Sequence, residues 1–295
     1  MRKITVMLMS LVLAAGMAWA EKQVDETRPA DADARISVEI ISGSIRVTGW
    51  NRDEVHVSGS IGDDVKVLDI SGGGSSISIE LDVPDSWGRR RRDIDADLEI
   101  SVPSAARLSV ETVSADITVH EVEGKIELES VSGGVKLAGR PSRADVETVS
   151  GNIRVDGDQT AITAESVSGD IELSGVAETV EAASVSGNIE VSAKEIERAT
   201  FESVSGDLEF AGGLTAKARL HAEAHSGNVT LLLPADTSAT WEIETFSGNV
   251  TNEFGPEAER SSEHGPGKWL KFTTGSGEAR ITVDSFSGNV RFRKR

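Results

Sequence analysis

Carboxylates recur at one fixed place in a repeated phrase. Four residues before a repeated glycine or its equivalent stand Glu39, Glu111, Glu129, Glu147, Glu165, Glu202, Glu223, Glu244 and Asp284, and Ala183 interrupts the run. Like charges on neighbouring strands repel. Such a column is therefore either a solvated outer face that keeps a sheet from aggregating, or a linear strip for divalent cations or a basic partner. Calcium is the candidate ion. A second column follows the glycine: Asp116, Gly134, Asn152, Asp170, Asn188, Asp207, Asn228, Asn249 and Asn289. Asn and Asp bond to nearby backbone in turns, and stacked amides bond along a ladder. This column is expected to be structural.

Other chemistry is poorly supplied. "HAEAH" (His221, Glu223, His225) places a carboxylate between two imidazoles. The zinc-protease pattern needs His-Glu-x-x-His on a helix. In a strand the two rings would be about 13 Å apart, too far to share a metal. No nucleophile elbow and no phosphate loop is present. Regular columns are not a convergent catalytic cluster. No catalytic residue and no cofactor is expected, and the chain is read as a non-enzyme.

The elements that position these columns follow from the period. Anchored on the residue after the repeated serine, the units fall at Ala115, Gly133, Gly151, Gly169, Gly187, Gly206, Gly227, Gly248 and Gly288. The steps are 18, 18, 18, 18, 19, 21, 21 and 40 residues. The last step reads as two turns with one degenerate. Gly43 is a further anchor, 72 residues before Ala115, which hints at four turns of 18. After the glycine, "NIRV", "DIEL" and "DLEF" alternate as strands do, with Ile153 and Val155 on one side and Asn152 and Arg154 on the other. No stretch beyond residue 20 shows sustained helical periodicity.

A unit this short cannot close its own core, but units stacked in register can. The predicted fold is all-β: a parallel β-solenoid of about 18–21 residues per turn, with an irregular N-terminal strand region. A propeller needs a longer period, and a β-sandwich has no fixed columns. The expected organisation is a signal peptide (1–20), a linker (21–35), irregular strands capping the stack (36–105), regular repeats (106–250), and C-terminal turns and cap (251–295). The charged tail "VRFRKR" suits a terminal edge strand. A third column stands two residues before the anchor: Val113, Val131, Val149, Val167, Val185, Val204, Phe246 and Phe286. The expectation is that the chain bends here and tucks these side chains in. Left exposed, they would mark a surface for self-association.

Composition narrows the partners. The chain holds 30 Lys and Arg against 49 Asp and Glu, a net charge of −19, which argues against nucleic acid and anionic lipid surfaces. Tyrosine and cysteine are absent. Stability must come from burial and backbone pairing, and stacking platforms for bases are scarce. Arg2, Lys3, the apolar "MLMSLVLAAGMA" and "AWA" read as a secretory signal; the apolar run is shorter than the roughly 20 residues a membrane span needs. No second run of spanning length follows, so no integral span is expected after cleavage. The one basic run, Arg89–Arg92 in "DSWGRRRRD", reads as an exposed loop.

The phrases "VSGNI" and "VSGDI", the early "ISGSIRVTGW", "LEISVPSAARLSVETVSADITV" and the late "GSGEARITVDSFSGNVRF" together resemble the bacterial putative-adhesin family of β-strand-repeat proteins. They are also similar to auto-transporter adhesin head domains. The resemblance implies a β-solenoid exported to the envelope or surface, and it brings no catalytic residues. The sequence thus points to an exported, adhesin-like binding or scaffold protein of the cell envelope, periplasmic, secreted or at the cell surface. Its expected partner is an envelope protein, a glycan or a second copy. The alternatives are a carbohydrate-active β-helix enzyme and a purely structural envelope-stress component.

Overall fold

A computed structural model describes residues 22–83, 93–158, 161–261 and 265–295. The expected signal peptide, Arg89–Arg92 and His264 lie outside the described residues. Those described are all-β, without a helix, and thus without one long and apolar enough to cross a membrane.

The unit is a rung of two strands meeting at a bend. In one rung these are Arg143–Thr148 and Ile153–Asp156. Alternation turns Ala144, Val146, Ile153 and Val155 inward, each 1% exposed or less. A single rung has no interior, so the core is a set of columns shared between rungs. Val146 faces Leu128 on one side and Ala164 on the other, and Ile153 faces Val135 and Ile171, all in parallel register. Large side chains sit beside small ones: Phe201 lies between Ala182 and Ala222, so that the column keeps its width along the stack.

The bend falls at Val149 and Ser150, two consecutive exposed residues, before buried Gly151. Backbone pairing runs through it. Val149 N–H donates to Ser130 O at 3.1 Å, and Ser150 N–H to Val131 O at 2.9 Å. The valine therefore stays on the convex side, and the expectation that this column tucks in is overturned. Glycine is required for close approach along the stack. A Cβ on Gly169 would meet Gly151 O at 1.9 Å.

Rung order departs from chain order at both ends. Ile281 pairs with Leu220 on one side and Trp241 on the other, and Val290 pairs with Val229 and Val250. The Gly288 rung is thus inserted between those of Gly227 and Gly248. The step of 40 is therefore not two successive turns. It is a detour through the antiparallel strands Glu259–Arg260 and Lys268–Thr273, followed by a return into the stack. The tail strand Val290–Lys294 is internal, not the expected edge.

The N-terminal end mirrors this. Ile36 pairs with Ile77 and Leu108, and Ile45 with Leu98 and Ile117. Ser114 N–H donates to Ile41 O at 2.7 Å, so the Gly43 rung touches the Ala115 rung directly, and the spacing of four turns is a coincidence. An antiparallel strand covers one strand of each outer rung, Glu54–Ile61 against Asp95–Pro103 at one end and Lys268–Thr273 against Ala239–Ser247 at the other, and blunts those edges.

Candidate functional site

Alternation sends Arg143, Asp145 and Glu147 outward from one strand, with Val149 at the bend. In-register stacking repeats that order on each neighbour. The glutamates form one line: Glu111 faces Glu129, Glu129 faces Glu147, and Glu147 faces Glu165. The line continues past Ala183 to Glu202 and Glu223. Asp284 then stands between Glu223 and Glu244. At the other end Glu39 joins Glu111, and Glu80, absent from the sequence pattern, extends the line beyond Glu39.

In the neighbouring column the two adjacent carboxylates, Glu127 and Asp145, are neutralised. Asp145 lies 2.8 Å from Arg143 and 3.5 Å from Lys125, and Lys125 also pairs with Glu127. No such partner reaches Glu111, Glu129, Glu147, Glu165, Glu202, Glu223 or Glu244 among the described residues. Their crowding has a titration signature. Partial burial, and then the charges of Glu111 and Glu147, raise the Glu129 pKa above the usual carboxylate range. Glu165 is raised by partial burial and then by Glu147, Glu181 and Glu202. Asp284 is raised chiefly by burial; His221 opposes this, and Glu244 and Glu223 add to it.

Beside the carboxylates run buried hydroxyls. Thr148 Oγ1 donates to Gly151 O at 2.7 Å, and Ser166 Oγ accepts the Gly169 N–H at 2.8 Å. These hydroxyls are spent on holding the bend. At Thr245 and Ser285 they are not: each is 6% exposed or less, and its oxygen has no partner among the described residues. The cause is local. Gly248 and Gly288 take φ of +149° and +145°, and the Gly288 N–H turns instead to Ser247 O at 3.0 Å.

Beyond the hydroxyls stands the apolar column, and it is exposed. Val113 to Val204 are 45–48% exposed, Phe286 50% and Phe246 57%. Carboxylates on one side, hydroxyls on the floor and valines on the other side enclose a groove of about 650 Å³ that runs along the stack from Glu111 to Glu223. It continues into a second hollow of about 480 Å³ beside Phe246, Trp269 and Phe286. There the ridge turns aromatic. His225 stacks on Phe286 at 4.8 Å and Phe286 on Phe246 at 4.9 Å, with planes within 3°.

The Asn/Asp column lies on the far side of the bend and does not join the groove. Asp170 Oδ1 accepts the Asn188 N–H at 2.8 Å, Asn188 Oδ1 the Asp207 N–H at 2.9 Å, and Asp207 Oδ1 the Asn228 N–H at 2.8 Å. Asp116 and Asn152 make the same bond, to Gly134 and Asp170. The ladder then follows spatial order, from Asn228 to Asn289 to Asn249. Each side chain serves the next rung rather than its own turn. The two imidazoles of "HAEAH" have separate neighbours: His221 Nδ1 lies 3.9 Å from Asp284 Oδ2, and His225 stacks in the ridge. Among the described residues no group of three or more His, Cys, Asp and Glu could hold a metal ion.

The sequence model of the family described as Toastrack DUF4097 matches residues 27–200 and 174–293. No curated protein matches the chain. Among solved structures, the chain is similar to one described as a putative adhesin from Bacteroides fragilis. The two are 14% identical over 94% of this chain and 100% of that one, with a TM-score of 0.44. A second putative adhesin, from Parabacteroides distasonis, is 9% identical over 92% of this chain and 97% of that one, with a TM-score of 0.37. One described as a putative lipid binding protein, also from Parabacteroides distasonis, is 11% identical over 91% of this chain and 96% of that one, with a TM-score of 0.35.

Proposed function

The chain belongs to the Toastrack DUF4097 family, and from that premise we propose that it is an exported, non-enzymatic parallel β-solenoid that binds a partner of the bacterial cell envelope along its groove. The observation that carries this reading is the contrast between the glutamate column and the neighbouring Glu127 and Asp145. Asp145 and Glu127 have cationic partners within the chain, whereas the groove glutamates, equally close to one another, have none among the described residues. Holding unpaired like charges in line costs stability. Holding them beside an exposed apolar ridge costs more, since such ridges are normally covered. Both costs fall when a partner supplies cations and apolar surface together.

Export rests on the N-terminal basic and apolar residues and their small-residue cleavage pattern. Capture from envelope extract tests the binding role. The wild-type chain should retain a partner at low salt and lose it as ionic strength rises. The Glu147→Gln/Glu165→Gln/Glu202→Gln variant should retain little at any salt. Equal capture by both chains would exclude the groove, and no capture by either would favour an inert structural component.

A further inference from the structure

The proposed binding reading leaves the occupant of the groove open, and its geometry narrows the choice. Three features act together: carboxylates without a cationic partner among the described residues, an exposed valine ridge parallel to them, and a spacing fixed by the backbone. Adjacent rungs are about 4.8 Å apart, so each wall offers one side chain at that interval. A ligand lying along the groove must present its own groups at a similar repeat. An α-helix returns to the same face about every 5.4 Å. An extended peptide returns to it about every 6.8 Å. Across the three steps from Glu111 to Glu165, the helix falls out of step by about 2 Å. The extended chain falls out by about 6 Å, more than a whole rung. A second copy of this chain is a poor occupant, because its acidic wall would meet its own kind. The buried hydroxyls of Thr245 and Ser285, without partners among the described residues, line the hollow that continues the groove.

We propose that the groove receives a cationic amphipathic helix of another protein, its Lys or Arg stripe against the carboxylates of Glu111, Glu129, Glu147 and Glu165, and its apolar stripe against Val131, Val149 and Val167. The boundary between the two stripes sits over the hydroxyl floor. An anchoring helix of about 18 residues, some 27 Å long, covers the unbroken acidic run.

The test uses the full chain and three synthetic 18-residue peptides of identical lysine and leucine content, followed by fluorescence anisotropy. One places leucines on a helical face with lysines along the adjacent stripe. One alternates them as a strand would. One is scrambled. The helical peptide should bind at least tenfold more tightly than the other two and gain helical circular dichroism on binding. Glu147→Gln/Glu165→Gln should weaken it at least tenfold, and so should Val149→Thr/Val167→Thr, which keeps a β-branched side chain on the strand. Melting curves establish that both variants are folded. Equal affinity for all three peptides, or no effect of the threonine pair, would overturn the inference. Loss of envelope capture in the glutamine variant alongside equal peptide affinities would reject the helix and leave the groove's binding role standing.

Discussion

Glu223 stands opposite Asp284 and not opposite Glu244, the next acidic residue of its column along the chain. The last rung in sequence is the second to last in space, and the first rung in sequence is likewise one step in from its end. The Gly43 and Gly288 rungs are each paired on both sides. In an open stack, terminal units fray first. Here the outermost rung at each end is an internal segment tied to antiparallel strands.

Deleting residues 279–295 therefore should not act as the trimming of one repeat. It leaves the Gly227 rung facing the Gly248 rung across a missing rung of two strands and removes Phe292 from its contact with Trp241 at 5.3 Å. The melting temperature should fall by roughly 10 °C or more, with a red shift of Trp241 emission. A fall of a degree or two in a scanning calorimeter would contradict the inserted order.

The acidic column makes stability depend on pH in a defined direction. Glu129, Glu165 and Asp284 have folded-state pKa values above their ordinary ones. The folded state then binds more protons than the unfolded state between the two values, so stability falls as pH rises through that window. These three groups should raise the melting temperature as the pH is taken from neutral down towards the carboxylate range; Asp145, held low against the effect of its burial by Arg143 and Lys125, works the other way at the acid end of that range. Glu165→Gln should raise it at pH 7 by about 1–2 °C and flatten the pH dependence, a small effect because the group is largely solvated. Added salt should stabilise the wild type more than the variant. Melting curves across pH and salt decide this; a wild type that weakens on mild acidification argues against a repelling column.

Two adjacent glycines should respond oppositely to a side chain. Gly133→Ala places a Cβ 1.8 Å from Ala115 O and should cost about 3 kcal/mol or more. Gly134 has open space, its nearest neighbour being Asp116 Oδ1 at 3.5 Å. Gly134→Asn adds the one missing acceptor of the ladder, opposite the Asn152 N–H, and should stabilise by about 0.5–1.5 kcal/mol. Urea titrations of both variants give the two signs.

Asp170 provides the complementary subtraction. Asp170→Ala removes the acceptor 2.8 Å from the Asn188 N–H and should cost about 1 kcal/mol. Asp170→Asn keeps an oxygen in place and should cost less than half of that. Equal losses in denaturant titrations would mean that the charge, not the acceptor, matters at this position.

The contrast between what was legible in the sequence and what was not has a physical basis. In a parallel in-register stack, residues at one repeat position become spatial neighbours, so Glu129, Glu147 and Glu165 could be aligned from spacing alone. The order of rungs could not. The Gly227, Gly248 and Gly288 units all carry an "SGN" bend, and any order satisfies their periodicity; antiparallel strands outside the repeat decide it. Nor was the exposure of Val149 legible. Strand alternation placed it outward, whereas the usual preference of valine for the interior argued for burial. The deciding fact is a backbone bond, Val149 N–H to Ser130 O, which keeps the strand paired until the bend. The groove itself follows from that exposure, and so escaped a reading of single columns. The unpaired hydroxyls of Thr245 and Ser285 depend on a glycine φ change that nothing in the sequence marks except the longer local spacing.

The central claim is that the groove, and not the opposite face, meets the partner. Cysteine is absent from the chain, so one introduced thiol is a unique attachment point for a photo-crosslinker. Val167→Cys places it on the apolar ridge, and Lys136→Cys on the strand after the bend, Val135–Ala138, where Lys136 is exposed. Irradiation in envelope extract should crosslink a discrete partner from position 167, suppressed by Glu147→Gln/Glu165→Gln, and none from position 136. A partner crosslinked only from position 136, or equally from both, would contradict it.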